Sequence, residues 1–327
     1  MNGRARGIVI ATLAAAAAGC AAILGIDDGT PREGTTDASD ASFDVADAGA
    51  NDAAVDAFDG FVPMCDVDAA FPPPIAFSKL NSTTNDAHLR VTPNELTGYF
   101  QSARDGGLGS YDIYTATRTS IGDTWTGVAD VTTVDTTSAD DDPTISADQL
   151  TLYLAHGSQI YRATRASITA PFGAPSLAPT INSAAADFGP YLVDDGSALY
   201  FSSTRNSDAG VSELFVTQPL ADGGFTAPAG VNGTNLKTAD NRFAAVTADQ
   251  LVLYFGSNRG AGAGGYDIWV ATRASTSVAF GTPRVLAELG TTSDETPDWV
   301  SSDRCRLYFS SNRSARYELY VATKTPP

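Results

Sequence analysis

The sequence predicts an all-β protein, a five-bladed β-propeller of four-stranded antiparallel blades that is closed by its N-terminal strand. The first observation is a motif ending in Leu-Tyr-Phe or a close variant, which recurs at five positions along the chain: Tyr99, Tyr153, Tyr200, Tyr254 and Tyr308. The steps between these tyrosines are 54, 47, 54 and 54 residues, and such a period indicates a repeat architecture. The second observation is that each repeat contains four strand-like segments. The third is an unpaired strand at the start of the repeats and a missing one at the end.

The fourth repeat illustrates the four segments. Residues 244–247, 251–255 and 266–273 are rich in apolar, aromatic and β-branched side chains, and a weaker strand follows Phe280 and Pro283. Polar and glycine-rich turns separate them, which is the pattern of strands joined by hairpins. The second and third segments are apolar on both faces, so we expect both faces of each blade to be covered by neighbours.

The ends of the repeat region predict how the ring closes. An aromatic residue followed three positions later by proline precedes each fourth strand, and an extra copy, Phe71 and Pro74, comes before the first repeat. Nothing equivalent follows the third strand of the fifth repeat. We therefore expect residues near 75–81 to pair with that strand and remove the exposed edges. The alternative is an incomplete ring that needs a strand from a partner.

The repeats also carry a family resemblance. The pattern Asp-x-x-Pro, Ser-x-Asp, Leu-Tyr-Phe-x-Ser-x-Arg and Asp-Ile-Tyr-x-Ala-Thr-Arg resembles the WD-repeat-like blades of TolB-type periplasmic propellers over residues 71–327. The resemblance implies the propeller fold much more strongly than a function. Such blades occur in transport-associated, peptidase-associated and other envelope proteins, and no peptidase domain is recognisable in this sequence.

The N-terminus predicts export and membrane attachment. Arg4 and Arg6 precede an apolar run, residues 8–18, which ends in Ala-Ala-Gly-Cys at Cys20. A basic start, a short apolar stretch and small residues are typical of a secretory signal, here residues 1–19. The last four residues resemble a bacterial lipobox, which implies cleavage before Cys20 and lipidation of its thiol. The alternative is an uncleaved anchor, for which residues 8–26 are barely long enough.

Residues 20–68 are predicted to be a disordered acidic tether between this anchor and the propeller of residues 69–327. Residues 21–70 contain twelve acidic residues and one arginine, a large part of the chain's net charge of −18. Few apolar residues and high charge disfavour a packed core. The EF-hand order of aspartates is missing, so we expect no calcium loop in this segment.

Two cysteines remain for a structural role. Cys65 lies just before the unpaired strand and Cys305 just before the second strand of blade five, so both should lie at the same end of the closing blade. We expect a disulfide between them, which an exported compartment permits. Two unpaired thiols are the alternative.

A recurring charge pair marks one end of the blades. An arginine follows the repeat tyrosine by five residues in four repeats, and an acid precedes the tyrosine by 13 or 14 residues in all five. We interpret them as structural clasps between loops, for which the arginine fork is suited. The arginines are Arg104, Arg205, Arg259 and Arg313, and the acids are Asp86, Asp140, Asp187, Asp240 and Asp294.

The second repeat departs from this pattern. Ser158 occupies the arginine position, His156 lies nearby, and the loop between the second and third strands is shorter than in the other repeats. A partner that docks on this end of the propeller would find a gap there. The face around His156 and Ser158 is therefore the candidate ligand face.

Composition and motifs narrow the function classes. Without the tether the chain is still acidic and has no basic run, so nucleic acid is an unfavourable partner. Two histidines and no local zinc, hydrolase or phosphate-loop motif predict no metal site, no cofactor and no catalytic residue. We expect a monomeric lipid-anchored envelope protein, at the outer membrane or cell surface, that binds a protein or glycan. The alternative is a five-bladed glycoside hydrolase or carbohydrate-binding propeller, and hydrolysis would require paired carboxyls in the channel.

Overall fold

Twenty short strands form five antiparallel sheets in the computed structural model, which describes residues 64–207 and 210–326. Each sheet has four strands, and each strand pairs with its sequence neighbours, apart from the sheet that contains the first strand. The five-bladed propeller predicted from the sequence is confirmed. The strands of blades one and two are β2 (Asp86–Val91), β3 (Thr97–Ser102), β4 (Asp112–Thr117), β5 (Thr126–Asp130), β6 (Asp140–Ile145), β7 (Thr151–His156), β8 (Gln159–Thr164) and β9 (Ser176–Leu177).

The remaining blades repeat this order. Blade three contains β10 (Asp187–Leu192), β11 (Leu199–Ser203), β12 (Glu213–Thr217) and β13 (Ala229–Gly230). Blade four contains β14 (Asn241–Val246), β15 (Val252–Ser257), β16 (Asp267–Thr272) and β17 (Arg284–Val285). Blade five contains β18 (Glu295–Val300), β19 (Arg306–Ser311), β20 (Glu318–Thr323) and the N-terminal strand β1 (Ile75–Ala76).

The N-terminal strand closes the ring, as the unpaired segment predicted. Ile75 is paired with Val321 and Ala76 with Tyr320, in antiparallel register. Asn81 extends this contact, because its amide donates to the Leu319 carbonyl at 3.1 Å and its carbonyl accepts from the Leu319 N–H at 2.7 Å. The closing blade therefore has no unpaired edge at its third strand.

Buried aromatic residues fill the spaces between blades. The repeat tyrosines are all buried, and arginines at the ends of third strands reach the tyrosine hydroxyl of the preceding blade. Arg165 donates to Tyr99 at 3.1 Å, and Arg118 of blade one donates to Tyr308 of blade five at 2.8 Å across the closure. These bonds satisfy polar groups inside the apolar core and join neighbouring blades.

A disulfide joins Cys65 to Cys305, as predicted. Both cysteines are buried, and the Cys65 N–H donates to the Asp303 carbonyl at 2.8 Å. The bridge lies before β19, at the end of the propeller where first strands lead into second strands. The segment before the closing strand is thus bound covalently to blade five.

Several predictions concern residues that lie outside the described part of the chain. These are the signal peptide of residues 1–19, lipidation at Cys20 and most of the tether of residues 20–68. Within the described residues, no helix has the length and apolar character needed to cross a membrane.

Candidate functional site

The central channel is lined by the five innermost strands, β2, β6, β10, β14 and β18. Each of these strands has a break in its pairing register with the next strand. Such bulges turn a side chain away from its regular direction. The residue at the bulge differs in every blade: His88, Asp142, Gly189, Phe243 and Pro297. The first four of these have positive φ, between 54° and 58°.

A layer of three polar side chains crosses the channel. The His88 imidazole lies between two carboxyls, with Nε2 3.6 Å from Asp142 Oδ1 and Nδ1 3.7 Å from Asp298 Oδ1. Asp142 also accepts the Gly189 N–H at 3.0 Å, and Asp298 accepts the Ser310 hydroxyl at 2.8 and 3.0 Å. The layer therefore joins four of the five blades.

Burial controls the protonation of this layer. Removal from water, with a smaller contribution from the Arg242 guanidinium, lowers the pKa of His88 to about 3, so this histidine is neutral. Burial raises the pKa of Asp142 to about 7 and also raises the pKa of Asp298 well above its usual range. Two carboxyls with raised pKa values in a channel are a pattern found in functional sites.

The space around this layer is small. The cavity that His88, Asp142 and Asp298 line has a volume of about 30 Å³. That volume suits one water molecule and excludes a sugar ring. The paired carboxyls required of a glycosidase are present, but the sugar-sized pocket is not present between them.

A wider mouth opens above the layer, on the side where second strands lead into third strands. Its cavity of about 160 Å³ reaches His88 at its base. The residue before each third strand is tyrosine in blades one, four and five, namely Tyr111, Tyr266 and Tyr317. The same position is Ser158 in blade two and Ser212 in blade three. The mouth is therefore lined by aromatic rings on one side and by small residues on the other.

Arg242 supplies the positive charge of the mouth. Its guanidinium lies 4.2 Å from the centre of the Tyr266 ring, and its Nη2 pairs with Asp240 Oδ2 at 3.1 Å. Its Nε is buried and has no hydrogen-bond partner among the described residues. Gln101 also lines the mouth, and its Oε1 accepts the Asp142 N–H at 2.8 Å. A donor without a partner beside aromatic rings can bind a polar ligand.

Two of the predicted clasps have the expected partners. Arg104 Nη2 lies 2.6 Å from Asp86 Oδ1, and Arg205 Nη2 lies 2.6 Å from Asp187 Oδ1. Both acids are fully buried, and each arginine also donates to a backbone carbonyl at 2.6 Å. Each clasp ties the loop before the first strand to the loop after the second strand.

The expected partners of the other two arginines need correction. Arg259 donates to Asn241 instead of Asp240, and Arg313 lies 3.3 Å from Glu295 instead of contacting Asp294. The clasp position is 13 residues before the repeat tyrosine in every blade, so the residues 14 before it were the wrong choice. Asp240 and Asp294 instead accept the hydroxyls of Tyr266 and Tyr317, at 2.8 and 3.2 Å.

Blade two lacks the arginine clasp, and its histidine contacts the acid instead. His156 Nδ1 lies 3.2 Å from Asp140 Oδ1 and 3.2 Å from the Thr136 hydroxyl. Ser158 has a φ of 65°, and its carbonyl accepts the Asp187 N–H at 2.9 Å, as the Tyr111 carbonyl does for Asp140. Ser158 is thus the counterpart of the mouth tyrosines, which places the predicted gap at the rim of the mouth.

The sequence reasoning missed the channel layer and the mouth. His88 was noted only as one of two histidines, and Asp298 and Arg242 were not selected. The signal that was available is positional: residues at one fixed distance from the repeat tyrosine differ in every blade, whereas the clasp and core positions repeat.

Comparison with known proteins shows similarity at the level of structure only. No protein-family model matches the chain, and no curated protein is similar to it in sequence. TolB from Acinetobacter baumannii is 15% identical with a TM-score of 0.47, over 76% of this chain and 56% of TolB, so the chain spans just over half of that protein. An endo-arabinase from Bacteroides thetaiotaomicron is 12% identical with a TM-score of 0.49, over 79% and 98%. A GH62 α-L-arabinofuranosidase from Coprinopsis cinerea is 13% identical with a TM-score of 0.48, over 78% and 96%.

Proposed function

We propose that this chain is a lipid-anchored envelope protein whose propeller binds a glycan end at the tyrosine-lined mouth, without catalysis. The observation that carries the proposal is the mouth itself, where Tyr111, Tyr266 and Tyr317 surround a 160 Å³ cavity beside the partly unpaired Arg242 guanidinium. Apolar rings with a few placed polar groups are the usual composition of a ligand site. The lipobox-like Cys20 and the disulfide support an envelope location.

The size of the mouth favours a glycan over a protein surface. A stable protein interface buries roughly 800 Å² on each partner and is usually much broader than this cavity. A cavity of 160 Å³ instead accepts one small group, such as a terminal sugar, with the rest of the chain outside. The small residues Ser158 and Ser212 leave one side of the rim open for that outer part.

The proposal is tested by binding of envelope glycan to the purified full-length chain. Arg242→Ala should weaken binding about tenfold or more, because one charged contact is worth ~1.4 kcal/mol. Arg284→Ala is the matched control, since Arg284 lies on the fourth strand of blade four and does not line the mouth. Equal affinity of wild type and Arg242→Ala would exclude the mouth as the glycan site. Capture of a protein but no glycan would replace the proposed ligand class.

A glycoside hydrolase is the second candidate, and the paired carboxyls Asp142 and Asp298 favour it. A glycosidase needs one ionised and one protonated carboxyl beside the scissile bond. Here burial raises the pKa of both, and His88 occupies the space between them. Turnover of arabinan or xylan that Asp142→Asn abolishes, while the variant still binds glycan, would establish the enzyme. No turnover by either protein would leave the binding function as the account of this channel.

A further inference from the structure

Four acidic side chains converge at the junction between blades one and two, away from the channel mouth. Asp112 begins β4, Asp130 ends β5, Asp135 lies in the following loop and Asp140 begins β6. One carboxylate oxygen from each of Asp112, Asp135 and Asp140 lies within 4.8 Å of the other two. These residues are far apart in sequence, so the local motif search that predicted no metal site did not find them.

The other junctions show what is unusual about Asp135. The equivalent residue is asparagine in three of them: Asn81, Asn182 and Asn235. Asn182 accepts the Ile160 N–H at 2.7 Å and donates its amide to the Ile160 carbonyl at 2.8 Å. Asn235 makes the same pair of bonds to Leu214, at 2.8 and 2.9 Å.

Asp135 can make only half of this arrangement. Its Oδ1 accepts the Ile113 N–H at 3.2 Å, but its Oδ2, which takes the place of the asparagine amide, is buried without a hydrogen-bond partner among the described residues. An ionised carboxylate has no proton to donate to the carbonyl that the amide would contact. The second oxygen therefore requires a positive group that the protein does not supply.

Asp140 adds a second uncompensated oxygen. It is fully buried, and its Oδ1 has no hydrogen-bond partner in the described chain. The acids at this position in blades one and three contact a permanent arginine cation at 2.6 Å, whereas Asp140 has only His156 at 3.2 Å. Compared with those junctions, this one has an additional anion and lacks the permanent cation.

The chemistry of the cluster selects a hard divalent cation. Calcium binds six to eight oxygens at about 2.3–2.6 Å, so its ligands lie up to about 5 Å apart, which agrees with the spacing here. No thiol or neutral imidazole set that would favour zinc is present among the three clustered residues. Burial, a hydrogen bond from Asp130 and repulsion by Asp112 together raise the pKa of Asp135 to about 8, which measures how unfavourable the uncompensated charges are.

We propose that Asp112, Asp135 and Asp140, with Asp130 beside them, form a calcium site that links blade one to blade two. The ion supplies the charge that arginine supplies at the neighbouring junctions. Its role is structural, because the cluster lies between blades and does not line the channel cavities.

The test is the melting temperature of the purified full-length chain in EDTA and in 10 mM CaCl₂, together with calorimetric titration. At about 100 times a submillimolar dissociation constant, the ion should raise the melting temperature by roughly 5 °C or more. Titration should give one equivalent of tight binding. Absence of both effects would overturn the proposal, and the cluster would then hold a proton instead of a cation.

Asp135→Asn separates this site from other acidic segments of the chain. The variant acquires the asparagine of the other junctions, so it should fold, melt in EDTA at or above the wild-type temperature, and lose the calcium shift. Asp105→Asn removes the same charge from an exposed position nearby and should keep the full shift. A calcium shift of equal size in Asp135→Asn would place the ion elsewhere, for example on the acidic N-terminal segment, and overturn the proposal.

Discussion

The blade junctions and the channel lining follow opposite rules, although both are built from the same repeat. At the junctions, equivalent positions carry equivalent residues, as Arg118 with Tyr308 and Arg165 with Tyr99 illustrate. In the channel, the position at the bulge is different in every blade. Positions that every blade needs for packing are kept alike, whereas positions that packing does not restrict have diverged. The difference separates residues that stabilise the ring from residues that are candidates for ligand binding.

The largest expected effect is at a regular junction. Arg205→Ala should lower the free energy of unfolding by about 3–5 kcal/mol, because it leaves the buried Asp187 carboxylate unpaired. Urea unfolding at pH 7 measures the change. Arg284→Ala is the control, since its pair with Asp68 is exposed and should contribute less than about 1 kcal/mol. Similar losses for both variants would show that the clasps do not stabilise the junctions.

The second effect concerns the junction that closes the ring. Replacing Cys65 and Cys305 together by serine should cost about 2–4 kcal/mol, because the bridge restricts a loop of 240 residues in the unfolded chain. The double variant avoids a free thiol. Thermal unfolding of wild type with and without reductant provides an independent measurement. An unchanged midpoint in both experiments would mean that strand pairing alone holds the closure.

The sequence was sufficient for the fold and for the closing strand. The 54-residue spacing of the tyrosines and the unpaired segment before the first repeat gave blade number and closure, because both depend on strand count and pairing. It was sufficient for the disulfide for the same reason, since both cysteines precede strands whose ends meet. The clasp partners in blades four and five were wrong by one residue, since an acid also precedes Asn241 and Glu295 and spacing alone favoured it.

The site could not be predicted in the same way. His88, Asp142 and Asp298 belong to different blades and meet only because five bulges turn their side chains into one channel. Spacing along the chain carries no information about that meeting. The repeat alignment could have indicated the channel position by its variability, but not which of its residues touch.

The third effect is a pH dependence that belongs to the channel. The unfolded Asp298 carboxyl loses its proton near pH 4, but burial raises the pKa of the folded one, so above pH 4 the folded state binds more protons. This stabilisation is complete below about pH 4 and is lost as the pH rises towards the folded pKa, at up to ~1.4 kcal/mol for each pH unit.

Asp298→Asn should remove this contribution, because an amide resembles the protonated carboxyl and keeps its acceptor for Ser310. Urea unfolding at pH 5, 6 and 7 should show a flatter profile for the variant than for wild type. Asp142 contributes in the same direction and will leave some slope in both proteins. Parallel profiles for wild type and variant would mean that Asp298 titrates normally in the folded chain.

The most direct test of the division between junctions and mouth is the glycan affinity of one triple variant. Tyr111, Tyr266 and Tyr317 are replaced by serine, the residue that blades two and three have at this position. Because these rings are partly exposed, a soluble, folded protein with little change in melting temperature is expected. We predict that its affinity for envelope glycan falls at least tenfold. Wild-type affinity in the folded triple variant would contradict the assignment of the mouth as the binding site.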